Sequence, residues 1–505
     1  MNLLSKRFVF WFLFSLLTVE TLSFIGFFER NVAYLTFVLV ALVALILTLK
    51  NLKYGLWFLA AELVIGSHGY LLYGGSVESG LSLRITLWLI VMAVWFMNVL
   101  FKPRSYFNYY KEIFLNSAYR KPLIGILLVL FISAILGYFN NENSLWLIEA
   151  KRWIFALIFL PLLYVVRSRK DLMEIGVIIL LSLAWSFLKT IFILYVFSHG
   201  FMPLMAEIYS WTRYSLLGEI TRMNDGGFYR IFTQSHVFMI PAFLLAWLFS
   251  LKLPSIKNSL NLSLNKTWLR IIYSVLVFSS MVIIVGLSRS FWLGLLAACL
   301  VTVFLLLIKY KPNLLSVIKN LGALLVTLVF SLLLLLLVVK FPFPQPTTEI
   351  DYSLLTDRAT KLDESAASAR WFLLPVMWEG IKEAPLLGHG FGKTLTYYST
   401  DPRVQESTVD GYYTTFAFEW GWLDIWLKTG LVGVFFALWL IWLILKEAYG
   451  LYKKSDNHEA LIGLGLLGST FALVVVHFFT PYLNHPLGMS YLIGLVLVLR
   501  VYNSK

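Results

Sequence analysis

Leu321-Gly-Ala-Leu-Leu-Val-Thr-Leu-Val-Phe-Ser-Leu-Leu-Leu-Leu-Leu-Leu-Val-Val-Lys340 runs straight into Phe341-Pro-Phe-Pro-Gln-Pro346. The first segment carries no charge before its last residue, and about 20 such residues cover the hydrocarbon core of a bilayer. The second cannot continue a helix, because proline has no N–H to donate and its ring collides with the preceding turn. Together they read as a membrane span that hands the chain to a long polar loop. The rest of the sequence follows the same plan. Fourteen spans are expected, at 8–28, 31–49, 54–73, 83–101, 122–139, 152–166, 173–197, 231–251, 271–287, 290–308, 321–340, 429–446, 460–478 and 485–500. Of the 505 residues, 59% are hydrophobic and 13% charged, with a mean hydropathy of +0.80. A soluble domain has roughly 45–50% and about 25%. The fold class is therefore all-α: a polytopic helical membrane protein with about 14 transmembrane helices and a long outer-face loop domain. A cytosolic enzyme, a disordered chain and a disulfide-stapled secreted domain are excluded. The single cysteine, Cys299, sits in the apolar run Leu293–Leu307 and reads as core filler.

Lys6 and Arg7 precede the first span with no small-residue cleavage signal, so an uncleaved span with a cytoplasmic N-terminus is expected. With that orientation, the inner segments hold 24 of the 41 basic residues and 6 of the 27 acidic ones. This is the positive-inside pattern. It places both termini in the cytoplasm and the protein in the cytoplasmic (inner) membrane as a multi-pass chain. The formal charge of +14 is thus a topology signal, with no nucleic-acid partner implied; the partner that composition demands is the lipid bilayer. Three regions follow: 1–340, a bundle of about eleven spans with an outer loop at 198–229; 341–428, the long outer loop domain; and 429–505, the C-terminal spans. Within the long loop, Trp371, Leu374, Trp378 and Ile381 fall at helical spacing over 369–383, with Arg370 and Lys382 beside them, as in a helix lying on the membrane surface. No internal repeat is evident, which argues against transporters built from inverted repeats.

Outside the cell there is no nucleotide sugar, so chemistry on that face needs a substrate already activated. Walker A, HExxH, GxSxG and Asp-x-Asp patterns are absent, and no metal site or cofactor is expected. Outward-facing arginine remains. Arg289, in the hairpin Gly286-Leu-Ser-Arg-Ser290, is a cation on the side where topology does not require one. A guanidinium there suits phosphate oxygens, which it binds bidentately while staying charged; the plain alternative is a snorkelling interface arginine. Arg230 opens the eighth span, with Arg213 and Arg222 farther out, and Arg370 lies on the surface helix. If they converge, these arginines form a pyrophosphate clamp. Asp410, in Thr408-Val-Asp-Gly-Tyr-Tyr413, and Glu419, in Phe418-Glu-Trp-Gly421, approach the membrane and are candidate general bases toward a sugar hydroxyl. His389, in Gly388-His-Gly-Phe-Gly392, reads mainly as part of a tight turn, and His485 as a capping or packing residue. Inside the bilayer, Glu62 and Arg84 are placed to pair, while Lys189 needs either a buried partner or a lipid phosphate.

The order Ser368-Ala-Arg-Trp371, Pro385-Leu-Leu-Gly-His-Gly-Phe-Gly392, Asp410-Gly-Tyr-Tyr413, Glu419-Trp-Gly421 and Gly430-Leu-Val-Gly433 resembles the bacterial O-antigen ligase and polymerase superfamily. The Ser288-Arg289-Ser290 hairpin, the position of Arg230 and Thr480-Pro-Tyr-Leu-Asn-His-Pro-Leu-Gly488 extend the likeness over roughly 225–490. The resemblance implies inverting, metal-independent glycosyl transfer on the outer face. The donor would be a polyprenyl-pyrophosphate-linked glycan and the acceptor a glycan or lipid-linked glycan. Carried onto this chain, it puts Arg230 and Arg289 on the pyrophosphate and Arg370 in support. Tyr412, Glu419 and His389 would contact substrate, and Asp410 would act as base where ligases of the family often have histidine. Two other classes fit the composition. One is a lipid-linked oligosaccharide flippase, whose cations would line a cavity deep in the bundle. The other is a scaffold subunit with no pocket beneath its loop.

Overall fold

The computed structural model describes residues 5–75, 80–223, 227–251, 266–348, 365–400, 402–408, 410–455 and 458–503. Among them, eleven helices are long and apolar enough to cross a membrane, where the sequence predicts fourteen spans. The other three fall short for local reasons. Leu52–Ile65 has 14 residues, about 21 Å of helix against the ~30 Å hydrocarbon core, and the chain leaves it through a turn in which Ser67 and Gly69 take positive φ. The expected span 152–166 belongs to a broken helix, Asn143–Ile154, then a 3-10 turn at Phe155–Ile158, then Phe159–Val165; Pro161 has no N–H to give to Leu157. The expected span 231–251 starts as a strand, tightens through Gln234–Phe238 and is α-helical only over Met239–Ser250.

The architecture is all-α and polytopic. Its strands, among the described residues, form three antiparallel hairpins: Tyr73–Gly74 with Leu81–Ser82, Glu219–Met223 with Phe228–Phe232, and Leu395–Tyr398 with Tyr412–Thr415. Charges within the bundle are paired, as a low-dielectric surround requires. Arg84 grips Glu62 with two bonds, Nε to Oε2 at 2.7 Å and Nη2 to Oε1 at 3.1 Å. Lys189 donates to Glu20 at 2.7 Å and to the Ile65 carbonyl at 3.3 Å, so its partner is a carboxylate on the first helix. Cys299 is half-buried against the core.

The long loop carries the helix Ser365–Glu383, and the stripe it buries against the protein lies beside the aromatic one read from the sequence. Leu373, Met377 and Ile381 pack with Phe418 and Leu427, whereas Trp371 and Trp378 stay half exposed. The two indoles lie edge-on against Trp420 and Trp426 instead. Spacing alone cannot distinguish these two adjacent stripes, since each repeats every three or four residues.

The expected span 429–446 is the middle of a longer helix, Gly421–Lys454, interrupted at Gly430 (φ 69°, ψ −178°). The turn Pro385–Gly392 fills the interruption like a short strand. His389 N–H donates to the Leu427 carbonyl at 2.9 Å and Gly390 N–H to Lys428 at 3.0 Å; in return Leu431 N–H reaches Pro385 at 2.9 Å and Val432 N–H reaches Leu386 at 3.3 Å. On its other side, Phe391 N–H donates to Ser133 in the helix Arg120–Asn140 at 3.1 Å. A Cβ on Gly390 would sit 2.2 Å from the Gly137 nitrogen, and one on Gly430 would sit 2.0 Å from the Leu386 oxygen, both at positive φ. Only glycine fits there. Beneath this strap, Lys428 binds Glu149, the Asp424 carboxylate at 2.6 Å and the Phe416 carbonyl at 2.7 Å. Glu149 also accepts from Gly392 N–H at 2.7 Å, and Asp424 from Asn484. The loop is therefore locked to three parts of the bundle before it reaches the site.

Candidate active site

Where the Glu219–Phe232 hairpin, the helix Leu204–Tyr214, the start of the helix Arg289–Tyr310, the end of the helix His458–Phe479 and the loop residues Arg370 and Glu419 meet, a cavity of about 860 Å³ opens. Five arginines line it, Arg213, Arg222, Arg230, Arg289 and Arg370, along with two carboxylates, Glu219 and Glu419. Its charge suits an anion with several oxygens. The five arginines arrive on four local elements. Arg230 is on a strand, correcting the expectation that it opens a helix: it pairs with Thr221 in the hairpin register. Its Nε donates to the Gly286 carbonyl at 2.9 Å, Nη1 meets Glu219 at 3.4 Å, and the guanidinium lies 4.8 Å from the Phe232 ring centre. Arg213 ends the helix Leu204–Tyr214, and Arg222 shares the hairpin with Arg230. Arg289 is the first residue of the helix Arg289–Tyr310, so the positive end of that helix lies at the cavity wall beside the side chain. Arg370, carried by the loop helix, forms an ion pair with Glu419.

Hydroxyls furnish the wall between the cations. Ser288 and Ser290 are 3.1 Å apart, and Ser290 is 3.3 Å from Thr480. Behind them Tyr482 is buried and donates to the Gln234 carbonyl at 2.9 Å, while Gln234 N–H donates to Ser67 at 3.1 Å. Burial holds the Tyr482 phenol well above its ordinary value, with the charge of Arg230 opposing weakly. Its proton is held on the Gln234 carbonyl, behind the lining of the cavity.

Of the residues singled out in the sequence, Arg230, Arg289, Arg370 and Glu419 come together here. Asp410, Tyr412 and His389 are not among the lining residues. Asp410 is exposed and accepts from Tyr412 N–H at 3.1 Å, shaping the turn into the Tyr412–Thr415 strand. Tyr412 lies exposed on the outer hairpin. His389 belongs to the strap, with Nε2 2.7 Å from the Gly380 carbonyl, as its reading as a turn residue predicts. His485 packs edge-on against His68, ring centres 5.4 Å apart. Glu219 and Thr480 escaped the sequence reading. Glu219 begins a five-residue strand in which Ile220 is buried and Thr221 and Arg222 are both exposed, a pattern without the period-2 alternation that marks a strand in sequence.

Compared with known protein families, residues 274–438 match the model described as O-antigen ligase. No curated protein matches the chain. The matched stretch covers roughly a third of the 505 residues and includes Arg289, Arg370, His389, Asp410, Tyr412 and Glu419. Across those residues this multi-pass membrane protein is O-antigen ligase-like.

Proposed function

We propose that the protein transfers or polymerises glycans carried on polyprenyl pyrophosphate, acting on the outer face of the cytoplasmic membrane. The carrying observation is the convergence of Arg230, Arg289 and Arg370 on one cavity. In this reading the donor's pyrophosphate lies among the arginines, which neutralise charge as it develops on the departing oxygen. Attack by an acceptor hydroxyl from the opposite face forms the new C1–O bond and breaks the C1–O bond to phosphate. Polyprenyl pyrophosphate leaves, and the anomeric configuration inverts.

The acceptor proton needs a base near the reacting carbon. Glu419 is favoured over Asp410 because it lines the cavity, whereas Asp410 is occupied in shaping its turn. Glu419 starts out paired with Arg370. Pyrophosphate drawing Arg370 toward itself would leave the Glu419 carboxylate free to accept the proton, so donor binding would arm the base. The flippase alternative calls for cations deep in the bundle. Arginines on a hairpin, a helix start and a loop helix support transfer instead.

Purified protein in lipid nanodiscs, given glycan on polyprenyl pyrophosphate without nucleotide, should lengthen or transfer the glycan. Arg289→Ala should lower turnover on the order of 10²-fold or more, the usual scale for removing an oxyanion-stabilising donor. Full activity in that variant would refute the clamp.

A further inference from the structure

The loop domain presents a second surface that the cavity does not use. The Leu395–Tyr398 and Tyr412–Thr415 strands are paired so that Tyr398 faces Tyr412 and Thr396 faces Thr414. Cross-strand partners share a face, and alternate residues on a strand take opposite faces. The inner face is used for packing: Leu395 and Tyr397 lie against Leu373, Met377 and Ile381. On the outer face Tyr398 is 42% and Tyr412 53% exposed. The two rings stand edge to face at 5.9 Å, with Phe372 meeting Tyr398 edge-on at 6.2 Å. Polar groups complete the patch. The Thr396 and Thr414 hydroxyls are 2.7 Å apart, and the Gln405 amide donates to the Tyr398 hydroxyl at 3.1 Å.

We infer that this shelf, Phe372, Thr396, Tyr398, Gln405, Tyr412 and Thr414, binds the saccharide chain beyond the sugar that reacts. A pyranose offers one apolar C–H face and a rim of hydroxyls. Aromatic rings interleaved with threonine hydroxyls and a carboxamide meet both. The shelf is built on the elements that also feed the cavity: Phe372 is two residues from Arg370 on one helix, and the Tyr412–Thr415 strand leads four residues on to Glu419, both arginine and glutamate lining the cavity. The apolar part of the loop suited to the bilayer interface lies elsewhere, where Trp378, Leu386 and Leu387 are exposed without threonine or amide partners between them. The inference rests on the proposed transfer of glycans for its choice of ligand, but binding can be read without turnover.

The test uses the full chain in nanodiscs and a panel of lipid-free neutral and uronic-acid-containing oligosaccharides, short and long, with affinity measured by calorimetry. Long oligosaccharides of one class should bind better than short ones. Tyr398→Ala and Tyr412→Ala should each weaken binding about three- to tenfold, while Tyr398→Phe and Tyr412→Phe, which keep the rings and the fold, should retain it. No binding by any member of the panel, or binding indifferent to loss of both rings, overturns the shelf. A Tyr412→Trp reporter quenched by brominated lipid also overturns it, since the bilayer would then cover the face. Turnover that depends on Arg289 but ignores both tyrosines removes the shelf and keeps the transfer reading. Saccharide binding on the shelf with no turnover does the reverse.

Discussion

Two clusters of charge in this protein sit in opposite surroundings. Around Lys428, one ammonium meets two carboxylates and a backbone carbonyl, Asn484 holds the other Asp424 oxygen, and lysine and both acids are at most 5% exposed. Glu62 and Arg84 repeat the pattern one to one at 2–3% exposure. Among the described residues, five arginines and two glutamates line the cavity, and the pairs are open: Arg230 and Glu219 are 16% and 51% exposed, Arg370 and Glu419 41% and 50%. A buried charge without a partner costs several kcal/mol, so closed clusters belong to the architecture. Charges at a wet surface are screened and cost little, and their pairs open readily to a ligand. The exposure of charge, rather than its amount, separates the scaffold of this molecule from its site.

That contrast can be broken from either side. Lys428→Met strands Glu149 and Asp424 together in the bundle and should cost about 3–5 kcal/mol of stability, seen as loss of folded protein on size exclusion and a lowered thermal midpoint. Arg84→Leu should do the same through Glu62, and adding Glu62→Leu should recover most of the loss, because replacing both partners of a buried pair is often neutral. Arg230→Leu inverts the result. Glu219 is left at a half-exposed position, where ion pairs contribute roughly 0–1 kcal/mol, so the thermal midpoint should hold while turnover falls on the order of 10²-fold. An Arg230→Leu protein that melts early with unchanged specific activity would move Arg230 from the site to the scaffold. Gly390→Ala is the next smaller effect. A methyl 2.2 Å from the Gly137 nitrogen forces the strap out of the helix break, at a cost of more than about 1 kcal/mol. Activity should fall with it, because the strap ties the loop that carries Arg370 and Glu419 to the bundle.

How much of this was legible in the sequence follows from the range of each signal. The spans are local, and eleven of fourteen expected segments are full-length helices. The failures all involve a signal that hydropathy averages away: Gly66 and Ser67 ending a helix, Pro161 behind a 3-10 turn, and a strand at 228–232 that runs into the start of the expected span. The cavity was half legible. Arg289 stood out because the positive-inside pattern gives it no topological reason to be there, and the same logic picked out Arg230 and Arg370. Convergence was invisible, since it brings together residues from 213 to 480 that share no local pattern. Glu149 was missed for the same reason: nothing local marks its partner as Lys428.

The smallest expected effect tests the least secure role. Asp410 and Glu419 are both exposed carboxylates in the loop domain, nine residues apart, and only their surroundings distinguish them. Asp410→Asn preserves the side-chain bond to Tyr412 N–H, since asparagine makes the same turn. It should change stability and turnover by no more than about 0.5 kcal/mol, roughly twofold. Glu419→Gln keeps the shape but removes the proton acceptor, so kcat should drop by about 10²-fold or more while KM for the donor changes little, because Arg370 remains available to pyrophosphate. The two variants differ in what a reversed result would mean. If Asp410→Asn abolished turnover and Glu419→Gln did not, the base would sit on a hairpin that must swing over the cavity, and Glu419 would be only the resting partner of Arg370. A closed, donor-bound form would then have to bring the tip of the hairpin to the arginines, a movement that a cross-link holding the Leu395–Thr415 hairpin in its present place would block.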